Sequence, residues 1–284
     1  MSPEYKLVRV ASGVHSVHSV AHGETFHPVI GPVAEAEALY IRQTNLRERL
    51  AAHKGEFVIW DVGLGAAANP LTLLRAADGI TASIRFISFD HTTEPLKFTL
   101  QHPAELSFIA GFEDQMRDLL KTGNSAFSHG SVRVSWDLHV ADFPAFIAQS
   151  SSENLPKPHL IMFDAFSPAK NPAMWTLPLF TRLFQLLDSG RSCLLPTYSR
   201  STLLRVTLLL AGFFVGVGHA TGEKDETTIA SNDPKLIQEP LDRRWLARAR
   251  RSTSAEPLTS PEYRQAPLSA DTLEKLSRHP QFTG

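Results

Sequence analysis

A chain of 284 residues, 43% hydrophobic and 20% charged, is long enough to bury a large core and is neither disordered nor membrane-like in composition. Its net charge of −1 gives no global nucleic-acid signature. No stretch reaches the roughly 20 apolar residues of a membrane span, and the opening MSPEYKLVRV lacks a signal-peptide core, so a cytoplasmic protein is expected. The single cysteine, Cys193, excludes an intramolecular disulfide and a multi-cysteine zinc site, and reads as core packing.

Residues 5–31 alternate apolar and polar side chains between glycine breaks, which predicts one or two hairpins ahead of the main domain. His15, His18, His22 and His27 lie here, but His15 and His18 fall on opposite strand faces and no carboxylate or cysteine cluster completes a metal set. No metal is expected. Gly23-Glu24-Thr25-Phe26-His27-Pro28 crowds polar groups into a turn, so its Glu24 and His27 are candidates for the rim of a site. From Pro32 to His53 a stripe of Ala36, Leu39, Tyr40, Leu46 and Leu50 predicts a helix. Phe57–Trp60 then reads as a buried strand; it ends at Asp61, passes through Gly63 and Gly65, and resumes as a helix from about Pro70 to Ala77.

The same alternation continues. Strands are predicted at Ile84–Asp90, Val132–Trp136, His159–Asp164 and Cys193–Leu195. Helical patterning covers 94–122 with a break at His102-Pro103, then Leu177–Leu187 and Ser201–Ala211. Residues 213–217 and 227–230 suit a closing antiparallel pair, and the polar stretch after Asn232 is expected to end in partial disorder. Strands alternating with helices predict an α/β fold, a mostly parallel sheet covered on both faces. The expected organisation is an N-terminal β-hairpin extension over 1–31, a main domain over 32–232 and a C-terminal tail over 233–284.

Asp61, Asp90 and Asp164 all fall at predicted strand ends, and Asp142 lies just past another. In an open parallel sheet that edge is where ligands bind, and a glycine turn there lets a ligand approach the backbone. No Gly-Lys-Ser/Thr follows, which excludes a P-loop, and the missing third glycine weakens a dinucleotide fingerprint. The spacing of Asp61 and Asp90 fits a ribose-binding carboxylate after a second parallel strand.

Asp-x-Gly-x-Gly at a first strand resembles motif I of class I S-adenosylmethionine-dependent methyltransferases. Asp164-Ala-Phe-Ser-Pro-Ala-Lys-Asn-Pro-Ala-Met-Trp175 is similar to the signature of the MnmC-like family, whose members include the methyltransferase domain of a bifunctional tRNA 5-methylaminomethyl-2-thiouridine biosynthesis protein. Asp61–Asn69 resembles that family's motif I, with Ala67 where glycine is commoner, and the likeness runs over about residues 20–231. The resemblance implies a Rossmann-like, mostly parallel seven-stranded sheet and S-adenosylmethionine held by Asp61, Gly63, Gly65, Asn69, Asp90 and Asp142. Asp164 is expected to orient an acceptor amine and take its proton, with Phe166 and Pro168 shaping the acceptor pocket. Lys170 and Asn171 are candidates for acceptor or phosphate contacts, and Trp175 for stacking on a base or anchoring the next helix. Glu24 and His27 are expected near the methionine end of the cofactor. The acceptor is expected to be a tRNA wobble-uridine amine, with a small-molecule amine, aminopropyl transfer or a catalytically silent binding domain as alternatives. Arg243–Arg251 holds five arginines around Trp245, either an RNA grip or a solvated helix face.

Overall fold

The computed structural model describes residues 4–222 and 225–283; the outermost residues of the expected extension and tail lie outside this range. The chain divides into two compact units: Met1–Phe143 with Leu160–Asp164 and Ala220–Asp225, and Pro144–His159 with Ala165–His219 and Glu226–Gly284.

The first unit opens with an antiparallel sheet of three strands, two successive hairpins as expected: β1 (Tyr5–Arg9), β2 (His15–Ser19) and β3 (Glu24–Thr25). Its larger sheet contains β4 (Glu56–Val62), β5 (Ala82–Asp90), β6 (Asn124–His129), β7 (Val132–Val140) and β8 (Leu160–Phe163), in the order β8-β4-β5-β7-β6. β8, β4, β5 and β7 run parallel, while β6 turns back along β7 at the edge. The parallel strands are near-continuous apolar runs because both faces are covered, and Trp60, Phe86, Phe89, Trp136 and Phe163 fill the core.

The helix expected from Pro32 to His53 is divided. Helix α1 (Pro32–Ala36) passes into a π-helical segment, Glu37–Arg42, and Asn45 at φ 47° breaks the run before α2 (Leu46–Ala52). Asparagine tolerates that left-handed conformation better than most side chains do. Three further helices belong to this unit: α3 (Ala68–Ala76), α4 (Glu94–Gln101) and α5 (Glu113–Thr122).

The second unit contains most of α6 (Phe143–Ala148), then α7 (Leu177–Gln185), β9 (Leu194–Thr197), α8 (Thr202–Ala211), β10 (Phe214–Gly218) and β11 (Thr227–Ser231). Its strands pair antiparallel in the order β10-β11-β9; β10 and β11 form the expected closing pair, and β11 also pairs with β9. The expected partly disordered tail is instead built into this unit as α9 (Arg243–Ala249), α10 (Ala270–Ser277) and α11 (Pro280–Thr283). Gln281 exchanges hydrogen bonds with the Val215 backbone and donates to Leu241 O, and Phe282 stacks on Trp245 at 6.4 Å. These contacts supply what such short helices lack by themselves. No helix of the described residues is long and apolar enough to cross a membrane.

Candidate active site

The β4-to-α3 connection is a tight turn made possible by two glycines. Gly63 adopts φ 94° and Gly65 φ 52°, and the Gly63 N–H donates to Phe89 O of β5 at 2.9 Å. A Cβ on Gly65 would stand 3.1 Å from the Phe26 ring, so the N-terminal sheet's edge already fills the space a side chain would need. Ala67, in place of the commoner glycine, still adopts φ 63° at the N-cap of α3. It offers no side-chain cap, so the first-turn N–H groups and the positive helix end remain available for an anion.

The acids at the strand ends occupy different environments. Asp61 is fully enclosed: its Oδ2 accepts from Ser88 Oγ at 2.8 Å, and Ser88 Oγ in turn accepts from Trp136 Nε1 at 2.9 Å. Burial pushes its carboxyl up to about 7; Ser88 works against that shift, and the nearby charges of Asp164 and Asp90 add to it. Asp90 accepts the Gly65 N–H at 2.8 Å and the Thr92 N–H at 3.2 Å, so it braces the glycine turn from the end of β5. Asp142 is exposed just beyond β7, where its charge helps raise the pKa of His91 after the His91–Asp90 hydrogen bond.

Asp164 continues the line of β8, with its N–H donating to Val62 O at 3.0 Å. Its Oδ2 accepts from Asn69 Nδ2 at 2.8 Å and lies 3.6 Å from His27 Nε2. The other face of that imidazole, Nδ1, is 3.7 Å from Glu35 Oε1 on α1. The side chains of His27, Glu35 and Asp164 are only 9%, 9% and 15% exposed. Burial works to lower the pKa of His27, but Asp164 and then Glu35 outweigh it and raise it to about 8. The ring is therefore a cation held between two carboxylates at neutral pH. His27 itself adopts φ 50°, an uncommon left-handed conformation for a side-chain-bearing residue.

Asp61, Gly63, Gly65, Asn69, Asp90, His27 and Asp164 thus fall within one unit, at the carboxyl ends of β4, β5 and β8. Glu24, half-buried, pairs with Ser19 in the N-terminal sheet. Asp142 also belongs to this unit, whereas Phe166, Pro168, Lys170, Asn171 and Trp175 belong to the second. Lys170 is exposed, and its N–H and that of Asn171 both bond Ser167 O at 2.8 Å, forming a turn beyond the half-buried Phe166 and Pro168. Trp175 is fully buried and its Nε1 donates to Phe166 O at 2.8 Å, so its face is not offered to a base; it anchors the loop. Tyr198 donates to Ala165 O at 2.9 Å and packs edge-on against Trp175, a second anchor that no local pattern announced. Glu35 was the other omission, and it did leave a signal. It stands four residues before Leu39, on the helix face read as apolar, where a lone carboxylate needs a partner.

These features match the needs of one ligand. A glycine cradle closed to a Cβ, an uncapped helix end, a braced carboxylate, and the buried, unpartnered Asp61 Oδ1 and Asn69 Oδ1 suit an amino-acid–nucleoside conjugate with its own carboxylate and hydroxyls. The family model for an S-adenosyl-L-methionine-dependent methyltransferase matches residues 110–233. Over that stretch the chain is similar to this methyltransferase family. Among its relatives, the tRNA 5-methylaminomethyl-2-thiouridine biosynthesis bifunctional protein MnmC of Pseudomonas putida is 26% identical over 246 residues, covering 81% of this chain and 35% of that protein. The protein of the same name from Aeromonas hydrophila is 27% identical over 241 residues, covering 80% and 35%. The chain therefore spans about a third of the length of these relatives. The crystal structure of MNMC2 from Aquifex aeolicus superposes with a TM-score of 0.68 at 23% identity, over 96% of this chain and 84% of that one. This likeness establishes the class I methyltransferase fold, an α/β sheet preceded by the small three-stranded sheet.

Proposed function

We propose that this methyltransferase N-methylates an aminomethyl group on a tRNA wobble uridine, with Asp164 as the residue that meets the acceptor amine. One observation supports that assignment above the others: Asp164 is largely buried beside the glycine turn, fixed by Asn69 at 2.8 Å and flanked by the His27 cation. When bound, S-adenosylmethionine would supply an electrophilic methyl on a sulfonium whose leaving group is the neutral thioether. An amine attacks only when neutral, so Asp164 orients the N–H and takes the proton the nitrogen sheds. The glycine turn at Gly63 and Gly65 would let the methionine carboxylate approach the uncapped first turn of α3, Asp90 would accept ribose hydroxyls, and exposed Asp142 would meet the adenine amine.

The tRNA half of the proposal draws on the names of the MnmC relatives and on α9. Arg244 and Arg248 stand at i and i+4 on α9 and Arg251 lies just past its end; all three are exposed, while Trp245 and Leu246 are buried. Buried Arg205 has its pKa lowered, first by burial and also by the positive charges of Arg248 and Arg200, though Glu226 opposes the shift. The exposed Arg244, Arg248 and Arg251 are the charges that suit phosphates.

The test is methyl transfer from labelled S-adenosylmethionine to undermodified tRNA by the wild type and by Asp164→Asn. The expected loss in turnover is on the order of 10²-fold or more, with S-adenosylhomocysteine affinity unchanged in calorimetry. Full turnover by the variant removes Asp164 from this role. Transfer to a small amine but never to tRNA replaces the acceptor.

A further inference from the structure

We infer that Glu35 and His27 form a buried positioning pair whose purpose is to keep Asp164 ionised and oriented for the acceptor amine. The inference rests on the reading of Asp164 given above, but it concerns residues that reading does not need.

Carboxylates gather around Asp164 at the end of β8: Asp61 from β4, which also feels Asp90 of β5, and Glu35 from α1 across the His27 ring. Buried carboxylates near one another cannot all remain charged. Asp61 shows the effect: enclosed and answered only by a hydroxyl, it is driven toward its protonated form. A protonated Asp164 would be useless to an acceptor amine, because it would have no capacity left for the proton. The imidazole 3.6 Å from its Oδ2 is the counter-charge that prevents this. That imidazole has its own difficulty, since it is as buried as the carboxylates and burial favours its neutral form. Glu35, 3.7 Å from the opposite ring nitrogen, offsets that tendency. The charged groups acting on His27 are thus Asp164 at the end of β8 and Glu35 on α1, with neutral Asn69 on α3 sharing the same Asp164 oxygen.

The backbone is arranged around the same contact. His27 sits at φ 50° directly before Pro28, and the chain then turns through Gly31 at φ 87° to begin α1 at Pro32. A left-handed conformation costs a residue with a Cβ roughly 1–2 kcal/mol, and such strain persists where the surroundings hold it. Here it aims the ring between the two acids. Glu35 touches no expected substrate position; it acts on Asp164 through His27.

The test has a readout that is independent of turnover. In the full chain saturated with S-adenosylhomocysteine, the His27 ring titration is followed by proton–nitrogen NMR in the wild type and in Glu35→Gln. Wild-type His27 is expected to titrate near 8 and the variant at least about one unit lower. In tRNA methylation, Glu35→Gln is expected to lose about tenfold or more in kcat, with the acid limb of the pH profile displaced and KM for S-adenosylmethionine little changed. Glu35→Asp, which keeps the charge, should recover part of the loss. If Glu35→Gln does not fold, His27→Gln serves for the kinetic arm, and Glu35→Asp still reports the ring titration. The same His27 titration in both proteins overturns the inference, and so does a kcat loss with an unmoved pH profile, which would mark a packing role. Full turnover by Asp164→Asn overturns the acceptor reading by itself, while the NMR result still decides whether Glu35 governs His27.

Discussion

A methyl group added at Gly65 would meet the Phe26 ring at 3.1 Å on a backbone at φ 52°, so this residue is fixed by space and by conformation together. Gly65→Ala should lower stability by about 1–2 kcal/mol and weaken S-adenosylhomocysteine binding about tenfold, measured by thermal denaturation and by calorimetric titration. Unchanged affinity would mean the turn is not the cradle. Most of this site was legible residue by residue because its chemistry is local in sequence: Asp61, Gly63, Gly65 and Asn69 follow one strand end, and Asp90 and Asp164 mark two others. What was not legible depends on chain geometry. Ser88 and Trp136 complete the bonds beneath Asp61 only because β5 and β7 lie side by side. Glu35 was hidden among three acids of one helical run, and its meaning comes from a left-handed turn at His27 that no propensity foretells.

At the scale of elements, α9 is the feature whose two readings separate most cleanly by experiment. Replacing Arg244 and Arg248 of α9, and Arg251 just past its end, together by Glu should reduce tRNA affinity at least about tenfold and flatten its salt dependence by about three counterions. S-adenosylhomocysteine affinity should stay as it was. Unchanged tRNA affinity would leave α9 a solvated face. The buried strands were readable as elements because continuous apolar runs bounded by turns are strong signals. The edge strand β6, Asn-Ser-Ala-Phe-Ser-His, carries one large apolar residue and owes its conformation to pairing with β7 across the Gly130 turn. The C-terminal helices escaped for a related reason. Their order comes from Gln281 and Phe282 docking on distant residues of their own unit, which local composition cannot display.

The whole molecule inherits a pH dependence from its site. His27 has a folded pKa of about 8 against 6.5, so its contribution to stability is complete below 6.5 and lost as pH rises through 8. Asp61 has a folded pKa of about 7 against 3.8, so the fold retains a proton the unfolded chain has released, and stability falls as pH climbs across that window. Asp188, held low by the Gly190 N–H and Arg191, and Asp233, held low by Ser192 and the Lys235 N–H, act the other way; their stabilisation is lost as pH falls below the ordinary carboxylate range. Maximal stability is therefore expected on the acid side of neutrality. Scanning calorimetry should give a Tm several degrees higher at about pH 5.5 than at about pH 8.5, with the slope reduced in Asp61→Asn. A Tm that rises steadily to the alkaline side would contradict these assignments. The Asn69–Asp164 hydrogen bond spans 95 positions of the chain. Closures of such length come late in folding, after the local turns and helices have formed. A ligand that recognises the closed pocket then has nothing to grip in the early chain, and acts as a brake on opening rather than a template for assembly. Occupancy lends this protein persistence, not speed.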